Sequence, residues 1–170
     1  EALEASTYCT PDALGGFPQV SGIQFTIDTG KSYDAGALYP DSTYHAPKSI
    51  NRVTIQSVGD KPFDAKAVYT IATNDFMAAG GDTYYAFKTA SANYDLGIPM
   101  DEVLMDYIKT ELKGVVGDPY AQPQGRITVT KTEAPAEEPA QPTPPAEETG
   151  GDGGETSYTV VSGDCLWNIS

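Results

Sequence analysis

The sharpest change in composition along the chain begins at Glu133, where apolar residues almost disappear. Residues 133–157 contain five prolines and four glycines among 25 positions, and seven acids with no Lys or Arg. Such a segment cannot bury enough apolar surface to offset the entropy of ordering it, so it predicts a linker. A packed domain must therefore be built from residues 1–131, followed by a linker over 132–157 and a short segment over 158–170.

Charge and hydropathy exclude several classes of partner. The net charge is −14, and outside residues 133–157 the chain still has 17 acids against ten bases. Nucleic-acid backbones and anionic membranes need clustered Lys and Arg, so we expect neither as a partner. The sequence also has no apolar run of about 18 residues, the length that a membrane-spanning helix requires.

Cys9 and Cys165 lie near opposite ends of the chain. Neither belongs to a CxxC or Cys/His pattern, so no zinc site is indicated. A disulfide between them would have to span the linker, and we do not expect one. The acids show no EF-hand spacing, which argues against a calcium-binding module.

Apolar alternation predicts the strands. Ile23, Phe25 and Ile27 alternate with polar residues and indicate a half-buried strand. A second strand is predicted at 53–58. A third, buried strand is predicted at 66–73, where it forms a hairpin with the second. A short strand at 126–129 closes the domain.

A helix is predicted between Pro99 and Gly114. It has acids in its first turn and lysines in its last, as the helix dipole favours. One face is apolar, and we expect it to cover the sheet. The sequence therefore predicts an α+β fold in which a twisted mixed or antiparallel sheet is covered by helices, followed by a disordered C-terminal tail.

Residues 31–49 are predicted to be a long polar loop with three tyrosines and the only histidine, His45. Loops of this length are often functional. A single histidine has no partner spacing for a metal or a catalytic triad, so a surface or structural role is favoured.

The stretch from Tyr69 to Tyr85 is predicted to be a buried strand that runs into a glycine-rich turn. Asp82 leaves the turn with a carboxylate, and Phe76 lies six residues before it. A ring and a carboxylate on either side of a tight turn could hold a flat polar ligand. On composition alone, the plainer interpretation of a core Phe and a turn-stabilising Asp is favoured.

Two sequence motifs favour a ligand-binding role for Phe76 and Asp82 over the plainer interpretation. The segment Gly15–Gly22 (Gly-Gly-Phe-Pro-Gln-Val-Ser-Gly) and the segment Asn74–Asp82 (Asn-Asp-Phe-Met-Ala-Ala-Gly-Gly-Asp) together resemble the C-terminal domain of the 5'-nucleotidase family. The resemblance extends over about residues 1–131. The order and spacing of the two motifs make it specific.

The resemblance implies a nucleoside-binding domain. Phe17 and Phe76 match the two rings that sandwich the base, and Asp82, after Gly80 and Gly81, matches the carboxylate that accepts from the ribose hydroxyls. Stacking on aromatic rings contributes about 1–3 kcal/mol per base. A carboxylate that accepts from two hydroxyls adds charge-assisted hydrogen bonds.

Two further positions belong to this motif. The role of Asn74 stays undecided, because its side chain could contact a ligand or cap the turn. Thr83 stands where the family commonly has Gly, which could alter the angles of the turn.

The resemblance places catalysis outside this chain, in an N-terminal domain with two divalent metal ions. The chain begins in Glu1–Ala5, which is typical of the end of a helix, so we expect a fragment of a longer protein. This fragment is expected to bind no cofactor, to recognise a nucleoside or nucleotide weakly and to hydrolyse nothing alone.

Residues 158–170 resemble the truncated start of a LysM module, although Cys165 occupies a position that is often Thr. LysM modules bind peptidoglycan, so the resemblance implies an extracellular, cell-wall-associated bacterial protein.

The parent is therefore expected to be a secreted 5'-nucleotidase in nucleotide catabolism. A 2',3'-cyclic-nucleotide phosphodiesterase, a nucleotide-sugar hydrolase or a non-catalytic wall-attached binding module are the alternatives. The paired Phe motif separates the enzyme hypotheses from the last one, because an attachment module has no need of it.

Overall fold

The structure, a computed structural model, describes residues 1–133. The LysM-like segment, the predicted disorder of the tail and nearly all of the predicted linker lie outside the described residues, and these predictions stay open.

Helices and strands both occur in the described residues, which confirms the α+β prediction. The helices are α1 (Ala2–Ala5), α2 (Asp75–Ala78) and α3 (Met100–Thr110). The strands are β1 (Ile23–Asp28), β2 (Ala35–Leu38), β3 (His45–Pro47), β4 (Val53–Val58), β5 (Lys61–Pro62) and β6 (Ile127–Thr130). Two 3₁₀ helices cover Tyr85–Thr89 and Asp118–Tyr120.

The main sheet is mixed, with strand order β5-β4-β1-β6. β1 pairs antiparallel with β4 and parallel with β6. The pleat places Phe25 beside Ile55 on one neighbour and beside Ile127 on the other. The predicted strands at 23–27, 53–58 and 126–129 are therefore all present.

The core lies on one face of this sheet. Phe25, Ile27 and Val53 are buried together. Partly buried residues from α1 and the segment after it pack onto them, namely Leu3, Phe17 and Val20. Alternation in β1 thus has the predicted effect at Phe25 and Ile27, which are buried, and at Gln24, which is exposed, while Asp28 at the end of the strand is buried although it is polar.

Glu4 fixes α1 to the beginning of β4. Its side chain is 1% exposed. One carboxylate oxygen accepts from the backbone N–H of Arg52 at 2.9 Å, and the other accepts from Arg52 at 3.1 Å and from Val53 at 2.8 Å. A buried carboxylate is costly unless such donors surround it.

The predicted third strand at 66–73 was wrong. This segment forms no strand, and Val68 is 92% exposed. The hairpin partner of β4, on the side away from β1, is instead the two-residue β5, because the chain turns away soon afterwards. The N–H of Phe63 still donates to the Gln56 carbonyl at 3.0 Å, and Asp64 then forms a turn by accepting from the N–H of Lys66 at 2.9 Å.

The segment 31–49 is not only a loop, because it contains a two-stranded antiparallel ribbon formed by β2 and β3. His45 lies in β3, where its Nδ1 is 2.8 Å from the Gly36 carbonyl and its ring stacks on Tyr8. The structure thus gives this histidine a structural role.

The predicted helix is present as α3. Pro99 is its N-cap and Gly114 follows its end at φ +81°. The expectation that its apolar face covers the sheet was wrong, because no residue of α3 is buried among the described residues and Leu104 is 59% exposed. No helix in residues 1–133 has the length and apolarity needed to cross a membrane.

Candidate functional site

The Asn74–Asp82 motif begins with a capped helix rather than with the end of a strand. Asn74 has extended backbone angles, and its side-chain oxygen accepts from the N–H of Met77 at 2.8 Å. This is the geometry of an N-cap, so the capping alternative describes Asn74 here. Whether Asn74 also contacts a ligand stays a prediction.

α2 is followed directly by the glycine turn. Gly80 has φ +80°, a conformation that a side chain would strain. Gly81 donates its N–H to the carbonyl of Phe76 at 2.9 Å. A Cβ on Gly81 would overlap the far edge of the Phe76 ring. The absence of side chains at this turn therefore lets the ring lie against the backbone, where Phe76 remains 56% exposed.

The two sequence motifs meet at Gly16. A Cβ on Gly16 would lie 2.7 Å from Oδ2 of Asp82, so the carboxylate occupies the space that a side chain would need. The Tyr84 hydroxyl donates to the Gly16 carbonyl at 2.5 Å. Tyr84 is 2% exposed, and burial, together with the charge of Asp82, raises the pKa of Tyr84 to about 12.

Asp82 and Thr83 have unusual local environments. Asp82 has φ +48°, which is uncommon for a residue with a side chain and often accompanies functional sites. Thr83, the departure from the family pattern, is fully buried. Its hydroxyl has no hydrogen-bond partner among the described residues.

Phe17 and Phe76 have different surroundings. Phe17 is only partly buried and packs against the core cluster of the sheet. Phe76 is exposed and lines a cavity of about 380 Å³. Phe17 follows Gly16 directly and so lies beside the residue that contacts Asp82, but it does not line that cavity.

Three segments line the cavity, which is open to solvent on one side. They are the glycine turn with α2, the first 3₁₀ helix, and the connection from β2 to β3. The lining residues are Tyr39, Pro40, Asp41, Ser42, Phe76, Ala79, Gly80, Gly81, Asp82, Tyr85 and Lys88. Of the residues predicted from the sequence, the structure thus brings Phe76, Gly80, Gly81 and Asp82 together around one cavity.

Sequence reasoning missed one wall of this cavity. The rings of Tyr39 and Tyr85 stack with their centroids 5.1 Å apart, and the ammonium of Lys88 lies 4.7 Å from the centre of the Tyr85 ring. Asp41, on the connection from β2 to β3, has φ +55°. The unusual length of the 31–49 segment was the only sequence signal for this wall.

The side chains that line the cavity are suited to binding a ligand. It offers an exposed apolar ring, carboxylates that accept hydrogen bonds and an ammonium that donates them. The described residues include no group of three or more His, Cys, Asp or Glu side chains that could hold a metal ion.

Comparisons with known proteins identify the family of this chain. The family of 5'-nucleotidase C-terminal domains matches residues 1–89. The chain is 33% identical over 111 residues to the trifunctional nucleotide phosphoesterase protein YfkN of Bacillus subtilis (strain 168). That match covers 64% of this chain but only 7% of the relative. No solved structure matches the chain.

Proposed function

The chain belongs to the family of 5'-nucleotidase C-terminal domains, and from this premise we propose that residues 1–131 recognise the base and ribose of a nucleotide for a phosphoesterase. The observation that carries the proposal is the contact between the two motifs. Asp82 lies against Gly16, and one turn of chain separates it from the exposed ring of Phe76. A base would stack on Phe76 while the ribose hydroxyls donate to Asp82.

The two glycines have defined parts in this proposal. Gly81 allows the Phe76 ring to lie flat against the turn, and Gly16 leaves room for the Asp82 carboxylate. Phe17 is proposed as the second contact for the base, since it adjoins Gly16 and is only partly buried. Because two rigid rings can stack on a base without reading its edges, the contact should tolerate different bases.

The full parent protein is proposed to be a 5'-nucleotidase that hydrolyses nucleotide phosphate esters. Two divalent metal ions would act in a separate N-terminal catalytic domain, and no step of the proposal uses a metal held by residues 1–133. This chain alone would therefore show no hydrolysis. The relative is named a trifunctional nucleotide phosphoesterase, so more than one phosphoesterase activity is open for the parent. Cyclic-nucleotide and nucleotide-sugar hydrolysis are the alternatives that we propose from the resemblance of the motifs.

Attachment to a bacterial cell wall is a further part of the proposal. It rests on the likeness of residues 158–170 to the start of a LysM module and on the linker composition. A secreted parent with a complete module should sediment with purified peptidoglycan. If it stays in solution while its nucleotidase activity is intact, the wall assignment is wrong and the enzyme assignment stands.

The experiment that tests recognition is an adenosine titration of the ¹⁵N-labelled 170-residue chain, followed by NMR. We expect amide signals of residues 15–17 and 76–83 to shift together. The Phe76→Ala variant should weaken binding by roughly tenfold or more, the size of one stacking contact, and Asp82→Asn should weaken it as well. Tyr94→Ala is the matched control, because Tyr94 is 82% exposed and does not line the cavity.

Two results would refute the recognition proposal. One is the absence of any shift at millimolar adenosine. The other is an equal loss of affinity in the Tyr94→Ala and Phe76→Ala variants. The non-catalytic alternative is tested separately, by assaying the parent with AMP, a 2',3'-cyclic nucleotide and a nucleotide sugar.

A further inference from the structure

Lys88 takes an unusual course along the wall of the cavity. Its stem crosses the turn, where a Cβ on Gly80 would lie 2.9 Å from Lys88 Cε and 3.0 Å from Lys88 Cγ. Its ammonium then reaches the ring of Tyr85, three residues earlier on the same 3₁₀ helix. Residues three apart eclipse one another in a 3₁₀ helix, so this helix places the aromatic ring and the cation on the same side.

The ammonium is available to a ligand. Among residues 1–133 a single ion pair is found, and it joins Lys31 to Asp28. No carboxylate oxygen of these residues therefore lies within 4.0 Å of the Lys88 ammonium. Lys88 thus has no carboxylate partner there, although residues 1–133 contain 17 acids and only ten bases. The ring of Tyr85 supplies part of the attraction that a carboxylate would otherwise give.

We propose that Lys88 is the phosphate-recognising cation of this cavity, so that the domain binds nucleotides more tightly than nucleosides. The inference rests on the proposed function and adds a residue to its site. An ammonium has three N–H donors and no acceptor, so its complement is an anionic oxygen. A phosphate presents several such oxygens, and charge-assisted bonds to it are about twice as strong as neutral ones.

Two other roles of Lys88 give different results. In one, the stem covers Gly80 and Tyr85 as packing, and the charge has no part in binding. In the other, the ammonium donates to a carbonyl or ring nitrogen of the base, in which case it would discriminate between bases.

The test compares adenosine, AMP and guanosine as ligands of the 170-residue chain. In wild type, we expect AMP to bind more tightly than adenosine, by a ratio that falls as salt is added. Lys88→Met keeps the length of the side chain and removes its charge. It should reduce AMP affinity about tenfold and leave adenosine affinity within about twofold.

Two controls accompany this variant. Lys88→Arg keeps the charge and should retain the AMP preference. Lys66→Met removes a charge from an exposed lysine that does not line the cavity, and it should change neither affinity. Dispersion of the amide spectrum shows whether each variant is folded.

The outcomes separate this inference from the proposed function. If wild type binds neither adenosine nor AMP, both fail. If wild type binds both, Phe76→Ala abolishes binding and Lys88→Met leaves the AMP-to-adenosine ratio unchanged, only the role of Lys88 is overturned. If Lys88→Met weakens guanosine alone, the cation reads the base and the phosphate assignment is wrong.

Discussion

The carboxylate of Glu4 offers a direct test of how the sheet is held to α1. Replacing Glu4 by Ala removes the acceptor for the backbone N–H groups of Arg52 and Val53. The site is buried, so water cannot readily replace the carboxylate. A buried donor without a partner costs about 1–3 kcal/mol. Two such donors predict a loss of roughly 2–6 kcal/mol in the free energy of unfolding.

Glu4→Gln separates the hydrogen bonds from the charge. Its carbonyl oxygen can still accept from one or both N–H groups, while the charge-assisted part is lost. We expect this variant to lose about 1–3 kcal/mol, less than the alanine variant. Glu102→Ala is the matched control, because Glu102 lies exposed in the first turn of α3 and contributes only about 0.3–1 kcal/mol through the helix dipole.

The assay is urea unfolding followed by far-ultraviolet circular dichroism, with all variants compared at neutral pH. Fluorescence is unsuitable because Trp167, the single tryptophan, belongs to the LysM-like segment 158–170 and not to the domain predicted at residues 1–131. If Glu4→Ala lost no more stability than Glu102→Ala, the connection from α1 to β4 would not exist in solution. An equal loss in the Gln and Ala variants would show that the charge, rather than the hydrogen bonds, carries the effect.

Three further predictions concern single groups. The hydroxyl of Thr132, and to a smaller extent its N–H, donate hydrogen bonds that hold the pKa of Asp28 below its ordinary value. The ionised form of Asp28 therefore stabilises the fold above about pH 4, and that stability is lost as pH falls through the lowered pKa. Asp28→Asn should show a smaller loss of stability than wild type between about pH 5 and pH 2 in urea titrations, and an equal loss would contradict this. Thr83→Val should raise the free energy of unfolding by about 1 kcal/mol, because it removes at nearly constant shape a buried hydroxyl that has no hydrogen-bond partner within residues 1–133; a lower melting temperature would argue that the hydroxyl has a partner in solution. Tyr84→Phe should lower stability by about 1–2 kcal/mol and shift the amide signals around Gly16, whose carbonyl loses its donor; an unchanged spectrum there would mean that the contact between the motifs is not made.

Local patterns predicted the parts of the fold that depend on local chemistry. Alternation of apolar and polar residues was sufficient to predict β1, and Pro99 and Gly114 were sufficient to predict the limits of α3. Both signals depend on only a few neighbouring residues. The segment 66–73 was misassigned because β-branched residues indicate a strand only where a neighbour is available. The chain leaves β4 after Phe63, whose N–H still donates to the Gln56 carbonyl, and so before that segment begins.

The candidate site likewise has a part that local sequence patterns predicted and a part that they did not. The two motifs indicated the turn and its carboxylate, because glycines and acids at fixed spacing leave a signal in sequence. The wall formed by Tyr39 and Tyr85 left only the length of the 31–49 segment as a signal, since 46 residues separate two rings that meet only in the folded chain. The position of Lys88 follows from the 3₁₀ helix, which is too short to produce a periodic pattern.

The parallel pairing of β1 with β6 has a consequence for how this chain acquires its structure. Phe25 and Ile127 are register partners, although about a hundred residues separate them. A ribosome must therefore synthesise nearly the whole described segment before the central strand obtains its second neighbour. Contacts of such long range slow folding, because the entropy of closing the intervening chain is lost before the contact is made. A polypeptide released at residue 89, where the family match ends, would leave one edge of β1 open to pairing with other chains.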